Sequence, residues 1–369
     1  MENKIKVLHA ITRLDRGGSS ENTLLSVIGL ARKGYKVDVL FGRSETADFS
    51  LLKEAEKAGV DFIEETDLVR DIHPMKDIFA FLNITKFLRD KRYDIVHTHS
   101  SKAGLICRAA ARLSGKGKIV YTPHGHVFYG YFGRSLTRCI VLAEKVLASM
   151  TDVIVGLTPA ECDEWLRQGI GKREHYVTIP SGIDFSEMDR ELETERDIRE
   201  ELGVPPGNVL IGSIGRFVEV KGFECFIRAA VTLAKKRSDV SFLLAGDGPL
   251  REKYLEILDS AGVGKGIFHI IGWQDKTADV LKAMDLFVLP SLNEGMGRVI
   301  VEAMYMKKPV IASRVGGVPS LVTSDVGMLV NPEADDELVK TIEELIFDRH
   351  ELEAMGARGR MKAVKDYSA

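Results

Sequence analysis

The chain of 369 residues carries 51 Lys/Arg against 54 Asp/Glu, a net charge of −3 and a pI near 6.3, so it lacks the basic excess of a nucleic-acid binder, and no nucleic-acid-binding motif appears. With 45% hydrophobic and 28% charged residues it is neither disordered nor fibrous, and its length exceeds what one core usually organises, so two domains are expected. No run of about 18 apolar residues is present to span a bilayer, and four scattered cysteines without a Cys-x-x-Cys pair exclude a disulfide framework and structural zinc and fit a reducing cytoplasm.

The first apolar run, Ile5–Ala10, reads as a strand, too short and interrupted for a signal peptide. Gly17-Gly18 follows it, before a helix starting near Ser20 or Glu21. A glycine pair there lets backbone approach a ligand, and the helix N-terminus behind it favours anions. This is not a Gly-x-Gly-x-x-Gly fingerprint, which argues against a dinucleotide enzyme. Further strands are predicted at Val37–Phe41, Val60–Ile63, Ile95–Thr98, Ile119–Tyr121, Val153–Gly156 and Tyr176–Ile179, with helices such as Glu21–Lys33 and Met75–Lys91 between them. His97-Thr98-His99 ends one strand, and alternation points both histidines to the same face. Asp94 is near in sequence, but no third metal ligand is evident, so acceptor binding or packing is the preferred reading. Thr122-Pro123-His124-Gly125-His126 ends the next strand. His124, between Pro and Gly at a strand C-terminus, is a site candidate, and His126 a weaker one.

Charge is uneven. Residues 1–185 hold 27 Lys/Arg and 23 Asp/Glu, and the remainder 24 and 31. Within 101–150, eight basic residues face Glu144 alone, alongside Phe128, Tyr129, Tyr131 and Phe132. Such a segment suits an anionic membrane surface or a lipid diphosphate; the alternative is a solvated helix face with a few core aromatics. Pro180-Ser181-Gly182-Ile183-Asp184, ahead of the charged stretch Ser186–Glu201, marks the boundary, giving domains 1–185 and 186–369.

In the second half strands are predicted at Val209–Ile214, Ser241–Ala245, Ile267–Ile271, Leu286–Leu289, Val310–Ala312 and Gly327–Val330. Strand–helix alternation through both halves implies two Rossmann-like α/β domains with parallel sheets, and ligands at the strand C-termini in a central cleft. Arg216 and Lys221 bracket the loop after the first of these strands, a fork and a point charge suited to clamping a diphosphate. Gly246-Asp247-Gly248-Pro249 makes a turn after the next. Gly272 and Trp273 follow the third, where main chain is placed to read a base edge. After Leu286–Leu289 comes Pro290-Ser291-Leu292-Asn293-Glu294-Gly295-Met296-Gly297-Arg298-Val299-Ile300-Val301-Glu302. Gly295 and Gly297 stand at a helix N-terminus, an anion site, with Glu294 before it and Glu302 just behind. That layout suits a sugar diphosphate flanked by hexose and ribose hydroxyls, for which carboxylates are good acceptors. No Asp-x-Asp is placed to hold a divalent ion, so neither metal nor cofactor is expected.

Glu294 and Glu302, separated by seven residues, resemble the nucleotide-sugar signature of retaining glycosyltransferases of family 4, the glycosyl transferases group 1 of the GT-B superfamily. The likeness extends to Arg216-x4-Lys221-Gly222, Gly246–Pro249 and Ser313–Pro319, and so covers essentially the whole chain. It implies a GT-B fold, with the N-terminal domain binding acceptor and the C-terminal domain binding nucleotide sugar. It implies Glu294 on the donor hexose, Glu302 on the ribose, Arg216 and Lys221 on the diphosphate, and His124 near the reacting centre. Gly17, Gly18, Gly272, Trp273, Gly295, Met296, Gly297 and Val299 would line the donor, with His97, His99 and His126 toward the acceptor. The expected reaction is metal-independent transfer of a hexose-type sugar from a UDP-sugar to a hydroxyl, on a lipid-linked or cell-surface glycan precursor at the cytoplasmic membrane face. Two rivals remain at this point: a nucleotide-sugar epimerase of the same fold, and a non-enzymatic two-domain sugar-binding protein. Related chains continue past Asp366-Tyr367-Ser368 into a helix that packs on the N-terminal domain, so a shortened or truncated C-terminus is also expected.

Overall fold

The computed structural model describes all residues except 1–3, 45–48, 116, 126–127, 129–132, 194–195, 265 and 275, and describes Phe49 by its main chain only. The chain divides into two compact units, Met1–Gly182 and Ile183–Ala369.

The first unit contains β1 (Lys6–Ile11), β2 (Lys36–Phe41), β3 (Asp61–Glu64), β4 (Ile95–His99), β5 (Lys118–Thr122), β6 (Val153–Gly156) and β7 (Tyr176–Thr178), in the order β3-β2-β1-β4-β5-β6-β7. The second contains β8 (Val209–Ile214), β9 (Val240–Ala245), β10 (Phe268–Ile271), β11 (Leu286–Leu289), β12 (Val310–Ser313) and β13 (Gly327–Val330), in the order β10-β9-β8-β11-β12-β13. Every pairing is parallel. The sequence-read strands are all present, with ends moved by one residue at most. They were legible because helices cover both faces of each sheet: β9, β11 and β12 are buried at every position, which requires continuous apolar runs.

In each sheet the strand order reverses beside the first strand, between β1 and β4 and between β8 and β11. Loops leaving the C-terminal ends of such a pair diverge to opposite faces and open a crevice, where α/β sheets bind ligands. The charged stretch that marked the boundary is helical in part, forming Phe185–Glu191 and Ile198–Leu202, with Asp184 and Asp197 accepting hydrogen bonds from their first-turn N–H groups. The first of these helices is held within the second unit. Phe185 stacks on Tyr305 at 4.0 Å, the Tyr305 hydroxyl donates to Asp189 at 2.8 Å, and the Arg360 guanidinium lies 4.2 Å from the same ring. Beside them Ile183 N–H donates to Tyr367 O (2.9 Å) and Ala369 N–H to Ile183 O (3.1 Å).

Candidate functional site

The loops at the β8/β11 crevice are interlocked through glycines. Gly222 has φ 63°, and a Cβ there would fall 2.1 Å from the Pro290 carbonyl oxygen. The loop after β8 therefore lies directly against the end of β11, and Leu292 N–H donates to Val220 O at 2.8 Å. Gly316 repeats the device from the other side: a Cβ would fall 1.9 Å from the Glu294 carbonyl oxygen, which accepts from Gly317 N–H at 3.1 Å. The turn after β9 joins them through Phe217 N–H to Asp247 O, 2.8 Å.

This backbone frame brings Lys221 and Glu294 together. Lys221 Nζ pairs with Glu294 Oε1, and Ser291 Oγ donates to the same oxygen at 3.0 Å. Their side chains are 25% and 11% exposed, so the pair sits inside the crevice and yet opens to solvent. Arg216, on the same loop as Lys221, makes no side-chain hydrogen bond or ion pair among the described residues. Gly297 caps the helix Arg298–Tyr305 with φ 72°. Glu302 is half-buried in that helix, and Thr277 Oγ1 donates to its Oε2 at 3.4 Å. Met296 is 2% exposed, so any ligand contact it makes is through main chain; Gly295 and Val299 are half-buried. Trp273 is 47% exposed beside Gly272, leaving its ring open to stack. Ser291 and Thr277, the partners of the two glutamates, carry no signal in sequence that separates them from ordinary loop hydroxyls.

At the β1/β4 crevice Gly17 caps the helix Gly18–Arg32 with φ 152°, and a Cβ there would meet no atom within 4 Å. The glycine thus serves conformation and leaves open space above the helix N-terminus. Thr12 Oγ1 lies 2.9 Å from Ser100 Oγ and accepts from Ala103 N–H at 3.1 Å, tying β1 to the helix after β4.

The expectation that His97 and His99 lack a third partner is corrected here. Register pairs His9 of β1 with His97, and ligating nitrogens of His9, His97 and His99 all lie within 4.8 Å of one another, the one such cluster among the described residues. Sequence order concealed it because β1 and β4 become neighbours across almost 90 residues. Two of those nitrogens are taken by each other, His9 Nδ1 and His99 Nε2 at 2.8 Å, while His97 Nε2 bonds Thr122 Oγ1 at 2.8 Å. Burial lowers the His97 pKa to about 4, and burial followed by neighbouring imidazoles lowers those of His9 and His99, so all three are neutral at physiological pH. His99 is 2% exposed with both ring nitrogens bonded to histidines, which leaves it no nitrogen for an acceptor. His124 takes φ 60° at the end of β5. Its turn is pinned by Glu161, a buried carboxylate that accepts from Gly125 N–H (2.8 Å) and Leu157 N–H (2.6 Å). Glu161 was missed in sequence; Thr158-Pro159-Ala160-Glu161 is the capping-box spacing that would have found it. His126 lies outside the described residues.

The basic segment 101–150 is not a uniform surface. Arg108 is fully buried and pairs with the buried Glu144 at 2.6 Å; Lys102 pairs with Asp77 and Lys118 with Asp152. Lys118 opens β5 while Arg134 opens the helix that runs back along the sheet, so the two lie at opposite ends of it. Phe128 is buried against Trp165, ring centroids 5.1 Å apart; Lys116, Tyr129, Tyr131 and Phe132 lie outside the described residues. No helix among the described residues is long and apolar enough to cross a membrane.

Residues 16–187 match the family described as Glycosyltransferase Family 4, and residues 194–362 that described as Glycosyl transferases group 1. The chain is 27% identical over 336 residues to the UDP-Gal:alpha-D-GlcNAc-diphosphoundecaprenol alpha-1,3-galactosyltransferase of Escherichia coli, covering 88% of this chain and 86% of that protein. Among solved structures it resembles Anabaena HepE in complex with UDP (TM-score 0.77, 22% identity, 99% of this chain and 96% of that one). It also resembles sucrose-phosphate synthase of Thermosynechococcus elongatus (TM-score 0.79, 22% identity, 99% and 95%). With two family matches in series over two parallel α/β units, the chain belongs to the group 1 glycosyltransferases of GT-B fold.

Proposed function

We propose that this glycosyltransferase moves a hexose-type sugar, with retention of configuration, from a UDP-sugar to a hydroxyl of a lipid-linked glycan precursor. The observation that carries the reading is the β8/β11 crevice, where Lys221 and Glu294 meet on interlocked strand-end loops and Arg216, on the loop of Lys221, has no side-chain partner among the described residues. Arg216, Lys221 and the helix N-terminus at Gly297 hold the diphosphate, opposing the leaving-group charge without a metal. Glu294 accepts from the hexose and Glu302 from the ribose, while Gly272 and Trp273 meet the base. Gly17 and Gly18 of the first unit approach the donor phosphates and acceptor, His97 serves the acceptor side, and His124 shapes the reacting centre. No carboxylate is assigned as nucleophile, and a leaving phosphate oxygen takes the acceptor proton. The Escherichia coli relative is named for a UDP-linked donor and a diphosphoundecaprenol-linked acceptor, which supports both choices here.

The test is incubation with a panel of nucleotide sugars, with and without a polyprenyl-diphosphate-linked sugar, in EDTA. Acceptor-dependent release of UDP that survives EDTA is expected. Isomerised nucleotide sugar formed without acceptor would establish the epimerase instead, and activity restored only by magnesium or manganese would overturn the metal-free reading.

A membrane surface remains the partner proposed for the first unit, but on a different element from the basic segment. In the helix Pro74–Lys91, Met75, Ile78, Phe79 and Leu82 are all exposed at helical spacing, preceded by exposed Ile72 and continued on the same face by exposed Lys86 and Arg89. An apolar stripe ending in cations fits an anionic bilayer surface. Ile78→Gln with Leu82→Gln should lower binding to phosphatidylglycerol vesicles at least about ten-fold, since each buried aliphatic side chain is worth roughly 1.5–3 kcal/mol. Flotation unchanged in that double variant would remove this helix from the proposal.

A further inference from the structure

His9, His99 and His124 form one hydrogen-bonded chain. His9 Nδ1 lies 2.8 Å from His99 Nε2, and His99 Nδ1 lies 2.9 Å from His124 Nε2. The rings stack successively, with centroids 5.0 and 5.2 Å apart and planes 15° and 27° from parallel. His97 packs on the first two rings but bonds Thr122 through its own Nε2, so it stands outside the chain. Because burial lowers the pKa of His9 and His99, these two links carry one N–H each.

A neutral imidazole has one donor nitrogen and one acceptor nitrogen. His99 uses both, so it receives one hydrogen bond and gives the other, and with neutral rings the chain has only two proton arrangements. In the first, His9 donates from Nδ1 to His99, His99 donates from Nδ1 to His124 Nε2, and the proton of His124 sits on its Nδ1. In the second every bond is reversed: His124 donates from Nε2, His99 donates from Nε2, and His9 carries its proton on Nε2. The far end of the chain decides between them. His9 Nε2 is buried and has no hydrogen-bond partner among the described residues. The second arrangement would bury an N–H donor with nothing to accept it, whereas the first leaves only an unshared lone pair, and orphaned buried N–H groups are the rarer defect in proteins.

We therefore infer that His9 and His99 are positioning residues, which hold His124 as its Nδ1–H tautomer with Nε2 locked inward as an acceptor. The backbone aims the same ring, since His124 sits at φ 60° and the next N–H is bound by Glu161. Only in placing the ring at the reacting centre does this inference rest on the proposed function: with its one acceptor nitrogen turned inward and taken by His99, His124 has no lone pair left to act as a base there. The tautomer itself depends on the first unit alone.

The experiment is ¹⁵N NMR of the histidine side chains in the full-length protein, with resonances assigned by single substitutions, together with kinetics of two His99 variants. In the native protein His124 is expected to show a protonated Nδ1 and an unprotonated Nε2. His99→Asn keeps an amide N–H at the Nδ1 position and should preserve that pattern. His99→Leu removes the donor, should shift the His124 proton toward Nε2, and should lower kcat about 10- to 100-fold with donor KM within about two-fold. A proton on Nε2 of His124 in the native protein would overturn the inference, as would an unchanged His124 pattern in a folded His99→Leu variant. One equivalent of zinc retained by the purified protein, with loss of the His9–His99 hydrogen bond, would overturn it in favour of a metal centre. Full activity in His124→Ala would remove His124 from the reacting centre while the tautomer assignment stood.

Discussion

Glu294→Gln should leave UDP affinity unchanged or improved while lowering kcat about 10- to 100-fold, because a hydrogen bond to a charged group contributes roughly 1.5–3 kcal/mol. The asymmetry follows from the Lys221–Glu294 pair. On the proposed roles, neutralising the carboxylate would release Lys221 to face the diphosphate, while the hexose hydroxyl would lose its anionic acceptor. Lys221→Met acts in the opposite direction. It removes a cation from the phosphates and leaves Glu294, held by Ser291 alone, pointing a bare carboxylate at them, so UDP binding should weaken by at least about 100-fold. Glu302→Ala should weaken UDP about 10- to 100-fold with little further effect on transfer at saturating donor, since a ribose contact is already made in the nucleotide. Calorimetric titration with UDP and initial rates on UDP-sugar separate the three. Glu294→Gln and Glu302→Ala weakening UDP equally, or Glu302→Ala binding it like the native protein, would break the assignment.

Arg108→Ala should destabilise the first unit by about 3–5 kcal/mol, the range for stripping one partner from a buried ion pair. Arg108 donates from Nε to Gly104 O at 2.6 Å as well as to Glu144, and its guanidinium lies 3.7 Å from the centre of the Tyr121 ring. Removing it leaves the buried Glu144 carboxylate, among the described residues, with only the Tyr121 hydroxyl 3.5 Å from its Oε1. Arg108→Met with Glu144→Leu should recover much of the loss, because an apolar pair of similar volume leaves no buried charge. Urea unfolding followed by Trp165 reports the first unit, since Trp165 is buried against Tyr121 there while Trp273 is exposed in the second unit. Equal midpoints for Arg108→Ala and the native protein would show that the pair contributes nothing.

These features differ in how far sequence foretold them, for a physical reason. A parallel strand covered on both faces writes its burial into a contiguous run, and the Glu294–Glu302 segment writes strand end, loop and helix start into consecutive residues. His9 joins His99 only because β1 and β4 are neighbours, and Arg108 meets Glu144 only because two helices pack side by side; neither distance exists along the chain. Counting charges in 101–150 treated Arg108 as surface and so overstated its basic face. The exposed stripe on Pro74–Lys91 was read as an ordinary helix because apolar spacing alone does not say which face is covered.

The pairing of Ile183 with Tyr367 and Ala369 bears on how the second unit can be rebuilt. Residues 183 and 369 lie side by side, like the two ends of a clasp closed by Phe185, Tyr305 and Arg360. A segment that is entered and left at neighbouring points tolerates rejoining there and reopening elsewhere, for example at the exposed Ser238-Asp239. Residues 183–369 are thus topologically an insertable cassette, a block that can be grafted into a host loop through neighbouring junctions.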